Sequence, residues 1–309
     1  MSLQTPILFC IFNRPDLTAR VFREIAQQRP QQLLIACDGP RSTHPGDQRL
    51  VEQARAICEQ IDWPCEVSRF YHAENRGCRK QMAEAITWGF QRCERLIILE
   101  DDCLPEPTFF TFCESLLERF AEDRRVMSIS GNTFQEAPRT NASYYFSKYA
   151  HIWGWASWRR AWEHYDLEMP CWPDLRPTGL VNQYSCDEHE QRYWTDIFDR
   201  QNAGEIDTWD YSWAYACWKN AGLTVLPERN LVSNIGFRTD ATHTTDKDHH
   251  LGERPTAAIA SLKHPEIIAD HKAADAFTWQ NIFCPPAWRE EFYSGKRRGF
   301  KAIYQRQVS

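Results

Sequence analysis

The stretch LIILEDD at residues 96–102 decides how this chain is organised, because four large apolar residues lead directly into three carboxylates. A short apolar run bounded by polar residues is typical of a central β-strand that is buried on both faces. The acids then lie at the edge where open α/β sheets bind ligands. In an extended chain, Glu100 and Asp102 point to one side and Asp101 to the other. Two carboxylates on one side can bind a divalent cation, and the alternative is a solvated acidic turn.

The composition is that of an ordinary globular protein. The 309 residues suffice for one large domain or two, and 25% of them are charged. A formal net charge of −6 gives no support to a nucleic-acid binder. The chain lacks the pattern of a signal peptide or a membrane span, so we expect a cytoplasmic protein. The twelve cysteines are scattered without a CxxC pair, which predicts reduced and mostly buried thiols.

Hydrophobic patterning in the first half predicts strands that alternate with helices. The predicted strands are 7–12, 33–37, 67–71, 95–99 and 126–130. Apolar residues at helical spacing predict a helix after each of the first four strands. This alternation indicates βαβ units, and therefore a mostly parallel sheet with right-handed crossovers.

Polar segments follow four of these predicted strands. They are FNR at 12–14, DG at 38–39, ENRG at 74–77 and EDD at 100–102. Because parallel strands end at the same edge of a sheet, we expect the four segments to converge on one site. Each segment alone is compatible with an ordinary turn or with solvated charges, and only their joint placement favours a binding site.

An ordered set of motifs resembles a known superfamily. The motifs are FNRPD at 12–16, DGPR at 38–41, ENRGCRKQ at 74–81 and IILEDDCLP at 97–105. The set resembles the nucleotide-diphospho-sugar transferases, the glycosyltransferases of the GT-A fold, over residues 5–245. The EDD form of the DxD motif with a later tryptophan–aspartate is most similar to the N-acetylglucosaminyltransferase I type group and its bacterial relatives.

The resemblance implies a fold and a division of the chain. The fold is α/β and Rossmann-like, with a mostly parallel central sheet flanked by helices. Residues 1–132 would form the nucleotide-sugar-binding half, and residues 133–250 the aromatic-rich, acceptor-binding and catalytic half of the same domain. Residues 251–309 would form a C-terminal extension.

The resemblance also implies the donor-binding residues, which are Phe12, Asn13, Arg14, Asp38, Gly39, Asn75, Arg76, Lys80, Glu100 and Asp101. The segment 12–14 would lie along the base, with 38–39 beside the base and ribose. Arg76 and Lys80 would face the diphosphate or the nucleotide. Asp102 would bind Mn²⁺ or Mg²⁺ between the two phosphates, where the ion neutralises a departing nucleoside diphosphate.

Aromatic residues dominate the second half, where most of the 13 tryptophans lie. Core packing is the expected role of most of them, and stacking on sugar rings is the alternative. Asp210 opens an apolar helical pattern, so it is either a helix N-cap or the general base that takes a proton from an acceptor hydroxyl. The resemblance favours the base.

Two later features have open interpretations. His243 is either a second metal or phosphate ligand or an ordinary loop histidine. The cations at 296–298 and 301 either contact an anionic carrier lipid at the inner membrane face or are simply solvated.

The sequence therefore predicts a metal-dependent, inverting glycosyltransferase of bacterial glycan or glycolipid synthesis. It would move a hexosyl or N-acetylhexosaminyl group from a nucleotide-diphosphate sugar, a UDP-sugar, to a glycan or lipid-linked acceptor. One rival is a sugar-1-phosphate nucleotidylyltransferase, but that class needs a glycine-rich loop where this chain has FNRPD. The other is a non-catalytic sugar-binding module, which the tryptophan content suggests.

Overall fold

The computed structural model describes residues 2–237 and 251–285. Its strands are β1 (Ile7–Ile11), β2 (Gln32–Cys37), β3 (Glu66–Tyr71), β4 (Arg95–Glu100), β5 (Cys103–Pro105), β6 (Val126–Ser130), β7 (Tyr144–Ser147), β8 (Trp155–Trp158), β9 (Leu223–Pro227) and β10 (Val232–Asn234). Its α-helices are α1 (Pro15–Gln28), α2 (Asp47–Ile57), α3 (Cys78–Arg92), α4 (Thr108–Arg119), α5 (Arg159–Trp162), α6 (Trp172–Leu175), α7 (Glu188–Asn202), α8 (Asp210–Lys219) and α9 (Lys272–Thr278).

Eight strands form one central sheet in the order β3-β2-β1-β4-β8-β6-β9-β7. The strands β3, β2, β1 and β4 pair in parallel, as do β6 and β9. The strand β8 is antiparallel to both β4 and β6, and β7 is antiparallel to β9. Within this sheet all strands except β7 and β8 therefore run in one direction, which confirms the predicted α/β fold with a mostly parallel central sheet. The strands β5 and β10 form a separate antiparallel pair.

Helices cover both faces of this sheet. In β4, Ile97 and Leu99 face the layer that α1, α2 and α4 form. Leu96 and Ile98 face the opposite layer, to which α3, α7 and α8 belong. All four side chains are fully buried, because successive side chains of a strand point to opposite faces. The predicted burial of this strand on both faces is thus confirmed.

The second half of the chain joins the same sheet, which the sequence pattern did not indicate. The strand β8 lies between β4 and β6, where Trp155 pairs with Ile98 and Ala156 with Ile97. All four residues of β8 are buried. Its sequence WASW contains no apolar run of the kind that marked the other central strands, and this explains why the strand was missed.

The described C-terminal residues 251–285 are fixed to the edge strand β7. The backbone N–H of His271 donates to the carbonyl of Phe146 over 2.8 Å. The Ser147 hydroxyl donates to the Asp275 carboxylate over 2.5 Å. These contacts cover a strand edge that would otherwise leave backbone groups unpaired.

Two compositional predictions are also confirmed. The twelve cysteines are free thiols, and most of them are buried. Most tryptophans pack in the core; Trp155, Trp209 and Trp213 are no more than 2% exposed. Within the described residues, no helix is sufficiently long and apolar to cross a membrane.

Candidate active site

The three acids lie where β4 leaves the sheet. Glu100 ends β4, and Asp101 and Asp102 form the turn into β5. Asp101 is 2% exposed and accepts a hydrogen bond from the backbone N–H of Phe12 over 3.3 Å. The Arg14 guanidinium pairs with Asp101 through Nη2 and with Asp102 through Nη1, the latter over 2.9 Å. The end of β1 and the end of β4 are therefore joined, as the parallel pairing predicts.

Burial and like charge set the electrostatics of this turn. Burial raises the pKa of Glu100 well above its usual value, and the neighbouring Asp102 carboxylate raises it further. Burial also raises the pKa of Asp101, and the positive charge of Arg14 partly offsets this rise. For Arg14 itself burial disfavours the charge, but the two aspartates outweigh it and raise its pKa. Arg14 is thus a permanent cation held by two carboxylates.

A cavity of about 570 Å³ opens beside this turn. Its lining contains Glu100, Asp102 and Asp210 but not Asp101, which agrees with the predicted alternation of the acids. The other described residues of the lining are Arg14, Cys78, Ile152, Trp153, Ile206, Asp207, Thr208, Trp209, Tyr211, Asn234, Gly236 and Phe237. The cavity therefore brings together the predicted metal ligand and the predicted base from the two halves of the chain.

Asp210 is held at this cavity by the start of α8. It is the first residue of the helix and Trp209 is the N-cap, so the N-cap interpretation of Asp210 is wrong. The Thr208 hydroxyl donates to Asp210 Oδ1. Trp209 stacks on Trp155 of β8 with ring centroids 5.7 Å apart. The inserted strand thus anchors the helix start, and the helix dipole favours an ionised carboxylate there.

The strand β10 closes over the acidic turn. The backbone N–H of Ile235 donates to the carbonyl of Asp102 over 2.8 Å. At Gly236, a Cβ atom would lie 2.3 Å from Asp102 Oδ2. Asn234 accepts a hydrogen bond from the Gly236 N–H over 2.8 Å. Any side chain at position 236 would therefore displace the Asp102 carboxylate.

Asp38 lies at the end of β2, but its side chain is 4% exposed. It accepts hydrogen bonds from the backbone N–H groups of Gly39 and Arg76 over 2.8 Å each and of Gly77 over 3.1 Å. The Asn75 amide donates to it over 2.9 Å. Both carboxylate oxygens are thus used to hold the loop at 74–77 against β2.

A network that the sequence motifs did not reveal surrounds the end of β1. The Asn13 amide donates to Asp47 over 2.9 Å. Arg41 donates to Asp47 over 2.6 Å and lies over the Phe12 ring, 5.4 Å from its centroid. The hydrogen bond from Arg41 lowers the pKa of Asp47 to about 2. Phe12 and Asn13 are therefore held in place by an ion pair that begins α2.

Other predicted residues lie apart from the cavity. Arg76 and Lys80 are exposed near the start of α3, where Arg76 pairs with Glu84 over 3.3 Å. Neither belongs to the cavity lining. His243 and the cations at 296–298 and 301 lie outside the described residues.

The residues at the cavity fit a divalent ion. In the described part of the chain, no group of three or more His, Cys, Asp and Glu side chains forms a complete metal site. An ion that comes with a nucleotide does not need one, because Mg²⁺ is commonly held by one or two carboxylates together with substrate phosphates and water. Glu100 and Asp102 supply oxygen donors of the kind that Mg²⁺ and Mn²⁺ prefer.

Comparison with solved structures finds matches, of which three are described here, each at low identity. No family model and no curated protein matches the sequence. The chain resembles the mannosyltransferase PcManGT from Pyrobaculum calidifontis, solved with GDP-Man and Mn²⁺, at 13% identity and a TM-score of 0.38 over 71% of this chain and 70% of that one.

Two further structures are similar at the same low level. HddC from Yersinia pseudotuberculosis is 10% identical with a TM-score of 0.33, over 52% of this chain and 80% of its own. A UDP-glucose pyrophosphorylase complexed with UDP-glucose is 13% identical with a TM-score of 0.27, over 48% of this chain and 64% of its own. These values are too low to place the chain in a family, so the function has to be argued from the cavity.

Proposed function

We propose that the protein is a glycosyltransferase that moves a sugar from a nucleotide-diphosphate donor to an acceptor hydroxyl. The observation that supports this most strongly is that Asp102, at the end of β4, and Asp210, at the start of α8, line the same cavity of about 570 Å³. Single displacement at a sugar carbon needs charge stabilisation on the leaving group and a base on the attacking group. In this proposal Asp102 serves the leaving-group end and Asp210 the attacking end.

In this proposal Asp102, with Glu100, holds Mn²⁺ or Mg²⁺. The ion supplies Lewis-acid charge to the departing nucleoside diphosphate. Arg14 fixes the Asp102 carboxylate through the hydrogen bond to Oδ2. Asp101 takes no part in binding through its own oxygens, which Arg14 and the Phe12 N–H occupy. Its role is to keep Arg14 in place.

Asp210 acts as the base. Its carboxylate takes the proton of the acceptor hydroxyl while the acceptor oxygen forms a bond to the sugar C1. The bond between C1 and the phosphate oxygen breaks, and its electron pair leaves with the nucleoside diphosphate. Attack opposite the leaving group inverts the configuration at C1. The Thr208 hydroxyl orients the Asp210 carboxylate.

The remaining donor assignments are part of the same proposal. Phe12 and Asn13, which Arg41 and Asp47 hold in place, would contact the base. Asp38 would act indirectly, by holding Gly39 and the loop with Asn75 and Arg76 in shape. Lys80 would meet the diphosphate from the exposed start of α3. A UDP-sugar, transfer of a hexosyl or N-acetylhexosaminyl group, and a role in bacterial glycan synthesis rest on the sequence motifs alone.

Calorimetry tests this proposal. UDP and GDP are titrated into the protein with Mn²⁺ and again after EDTA, and we expect binding only with the metal. Asp102→Asn should lose this binding, whereas Asp210→Asn should keep it and lose transfer. Glu205→Gln is the matched control, because Glu205 pairs with Arg200 at 3.6 Å and lies outside the cavity lining.

The rivals give different results in the same experiment. A nucleotidylyltransferase would bind a nucleoside triphosphate and release pyrophosphate from it. A sugar-binding module would bind glycans with no nucleotide present. Nucleotide binding that is equally strong without a divalent ion would contradict the proposed role of Asp102.

A further inference from the structure

The carboxylate that the motifs place beside the base of the donor is already fully used. Asp38 is 4% exposed. Its Oδ1 accepts hydrogen bonds from the backbone N–H groups of Gly39 and Arg76, and its Oδ2 accepts from the Gly77 N–H and the Asn75 amide. Such a carboxylate cannot accept a further hydrogen bond from a base unless one of these bonds breaks. Recognition of the base therefore needs another polar side chain.

Arg41 lies in the same loop and has donors to spare. Its Nε donates to Asp47 over 2.6 Å and its Nη2 donates to the same carboxylate over 3.1 Å. Among the described residues, nothing accepts a hydrogen bond from Nη1. The Arg41 side chain is 35% exposed, whereas that of Asp47 is 5% exposed. Arg41 is thus a cation that a buried carboxylate holds in one orientation, with N–H groups open to a ligand.

The Phe12 ring lies next to this guanidinium. The Arg41 Cζ atom is 5.4 Å from the ring centroid, and Phe12 is partly exposed. The backbone N–H of Phe12 donates to Asp101 over 3.3 Å, so the ring is fixed beside the acidic turn. Aromatic side chains are stacking partners for the faces of nucleotide bases. A base that lies against Phe12 therefore presents its edge to the free donors of Arg41.

The position of the diphosphate decides which edge this is. In the proposed function the diphosphate lies at Asp102, and the ribose comes between it and the base. Arg14 belongs to the described lining of the cavity and Arg41 does not, so Arg41 meets the edge of the base that is farthest from the ribose. Uracil and guanine carry a carbonyl oxygen at that edge, whereas cytosine and adenine carry an amino group. A guanidinium has donors only, so it pairs with the carbonyl and opposes the amino group.

We propose that Arg41 reads the base of the donor nucleotide and selects a carbonyl oxygen over an amino group at the far edge of that base. This assignment rests on the proposed function and specifies the donor, whose base is uracil or guanine and not cytosine or adenine. Arg41 is the specificity-determining residue. Asp47 is a positioning residue, because it acts on the base only through the guanidinium that it holds.

Calorimetry with four nucleotides tests the assignment on the whole protein. UDP, CDP, GDP and ADP are titrated in the presence of Mn²⁺, and affinities are compared within each ring class, pyrimidine or purine. The two members of a class have the same charge and nearly the same size. In the class that binds more tightly, we expect the nucleotide with the carbonyl to bind about tenfold better than the one with the amino group.

Arg41→Gln should bring this affinity ratio close to one, because a side-chain amide can both donate and accept a hydrogen bond. If Arg41 served only to hold Asp47, the variant would weaken all four nucleotides alike and leave the ratio as it was. Arg69→Gln is the matched control. The Arg69 side chain is 37% exposed and also pairs with a carboxylate, that of Glu59, so its loss should not change the ratio.

Equal affinities within the tighter class, a preference for the amino group, or a ratio that survives in Arg41→Gln would overturn the assignment of Arg41. Metal-dependent binding without any base preference would leave the proposed function standing and remove only this assignment. Binding of none of the four nucleotides with Mn²⁺ would remove both. A base preference that persists after EDTA would contradict the role of Asp102 and support that of Arg41.

Discussion

Asp38 and Asp207 are the same residue type in opposite environments. Asp38 is 4% exposed and accepts hydrogen bonds from three backbone N–H groups and the Asn75 amide. Asp207 is exposed, lines the cavity and accepts no hydrogen bond from the described residues. A carboxylate whose oxygens are all used shapes the protein, whereas one that is unused is available to a ligand. The sequence motifs marked Asp38 as a donor-binding residue and did not include Asp207.

The largest expected effect concerns Asp210. Asp210→Asn should lower kcat by about 10²- to 10⁴-fold, because the amide cannot take the acceptor proton. Affinity for the nucleotide should not change, since the base does not contact it in the proposed mechanism. Steady-state kinetics and calorimetry on one preparation check both statements. An Asp210→Asn enzyme with full kcat would place Asp210 among the structural carboxylates.

Asp102→Asn should weaken metal-dependent nucleotide binding by about 100-fold or more, because an amide cannot replace the charge that holds the ion. The same variant also loses the charge partner of Arg14 Nη1. Asp101→Asn is therefore the informative companion, as it disturbs Arg14 without removing the proposed ligand. If both variants lose binding equally, Arg14 rather than a metal ion carries the nucleotide site.

The comparison between Asp38 and Asp207 can be tested directly with one alanine substitution at each position. Asp38→Ala should lower the free energy of unfolding by about 3 to 4 kcal/mol, because four donors lose a buried, charged acceptor. Asp207→Ala should change it by no more than about 0.5 kcal/mol. Urea denaturation followed by tryptophan fluorescence measures both. Similar values for the two variants would break the distinction.

Asp275 extends the comparison to a carboxylate that is buried but poorly compensated. It is 3% exposed and, among the described residues, accepts only from the Ser147 hydroxyl and, over 3.3 Å, from the Lys148 N–H. Burial outweighs these bonds and raises its pKa from 3.8 to about 6, with Asp270 adding to the rise and the Lys148 charge opposing it. A raised folded-state pKa means that the group favours the folded state below about pH 4. This contribution is lost as the pH rises to about 6.

Asp275→Asn should remove this dependence, which amounts to about 2 to 3 kcal/mol between pH 4 and pH 6. Unfolding free energies at several pH values in that window provide the measurement. The control is Glu266→Gln, which removes an exposed charge from the same segment. A slope between pH 4 and pH 6 that survives in Asp275→Asn would show that another group titrates there.

The sequence predicted the first half of the fold well, because hydrophobic patterning reports burial. The strands β1, β2, β3, β4 and β6 all lie within one residue of their predicted bounds. Hydrophobic patterning could not predict that β4 pairs with β8. The segment Trp155–Trp158 shows no regular alternation of apolar and polar residues. Its position beside β4 depends on contacts with residues that are far away in the chain.

The site was predicted in part. Glu100 and Asp102, which line the cavity, were singled out because carboxylates after a buried strand are visible in the sequence, and Asp210, which lines it too, was singled out mainly by the family resemblance. The hydrogen bonds that the Asp38 carboxylate accepts could not be predicted from the sequence. Its donors include backbone N–H groups of a loop that is brought next to it only by the fold. The same holds for Gly236, whose missing side chain matters only because Asp102 lies behind it.

The insertion of β8 between β4 and β6 has a consequence for biosynthesis. On the ribosome, β4 emerges with β1 as its only partner, and its other edge stays bare until Trp155–Trp158 has been made. For that interval a strand with four consecutive large apolar residues presents unpaired backbone groups along one edge, which is a template for intermolecular pairing. A nascent chain stalled before β8 is therefore a natural client for chaperones, and an expression fragment that ends there is expected to aggregate.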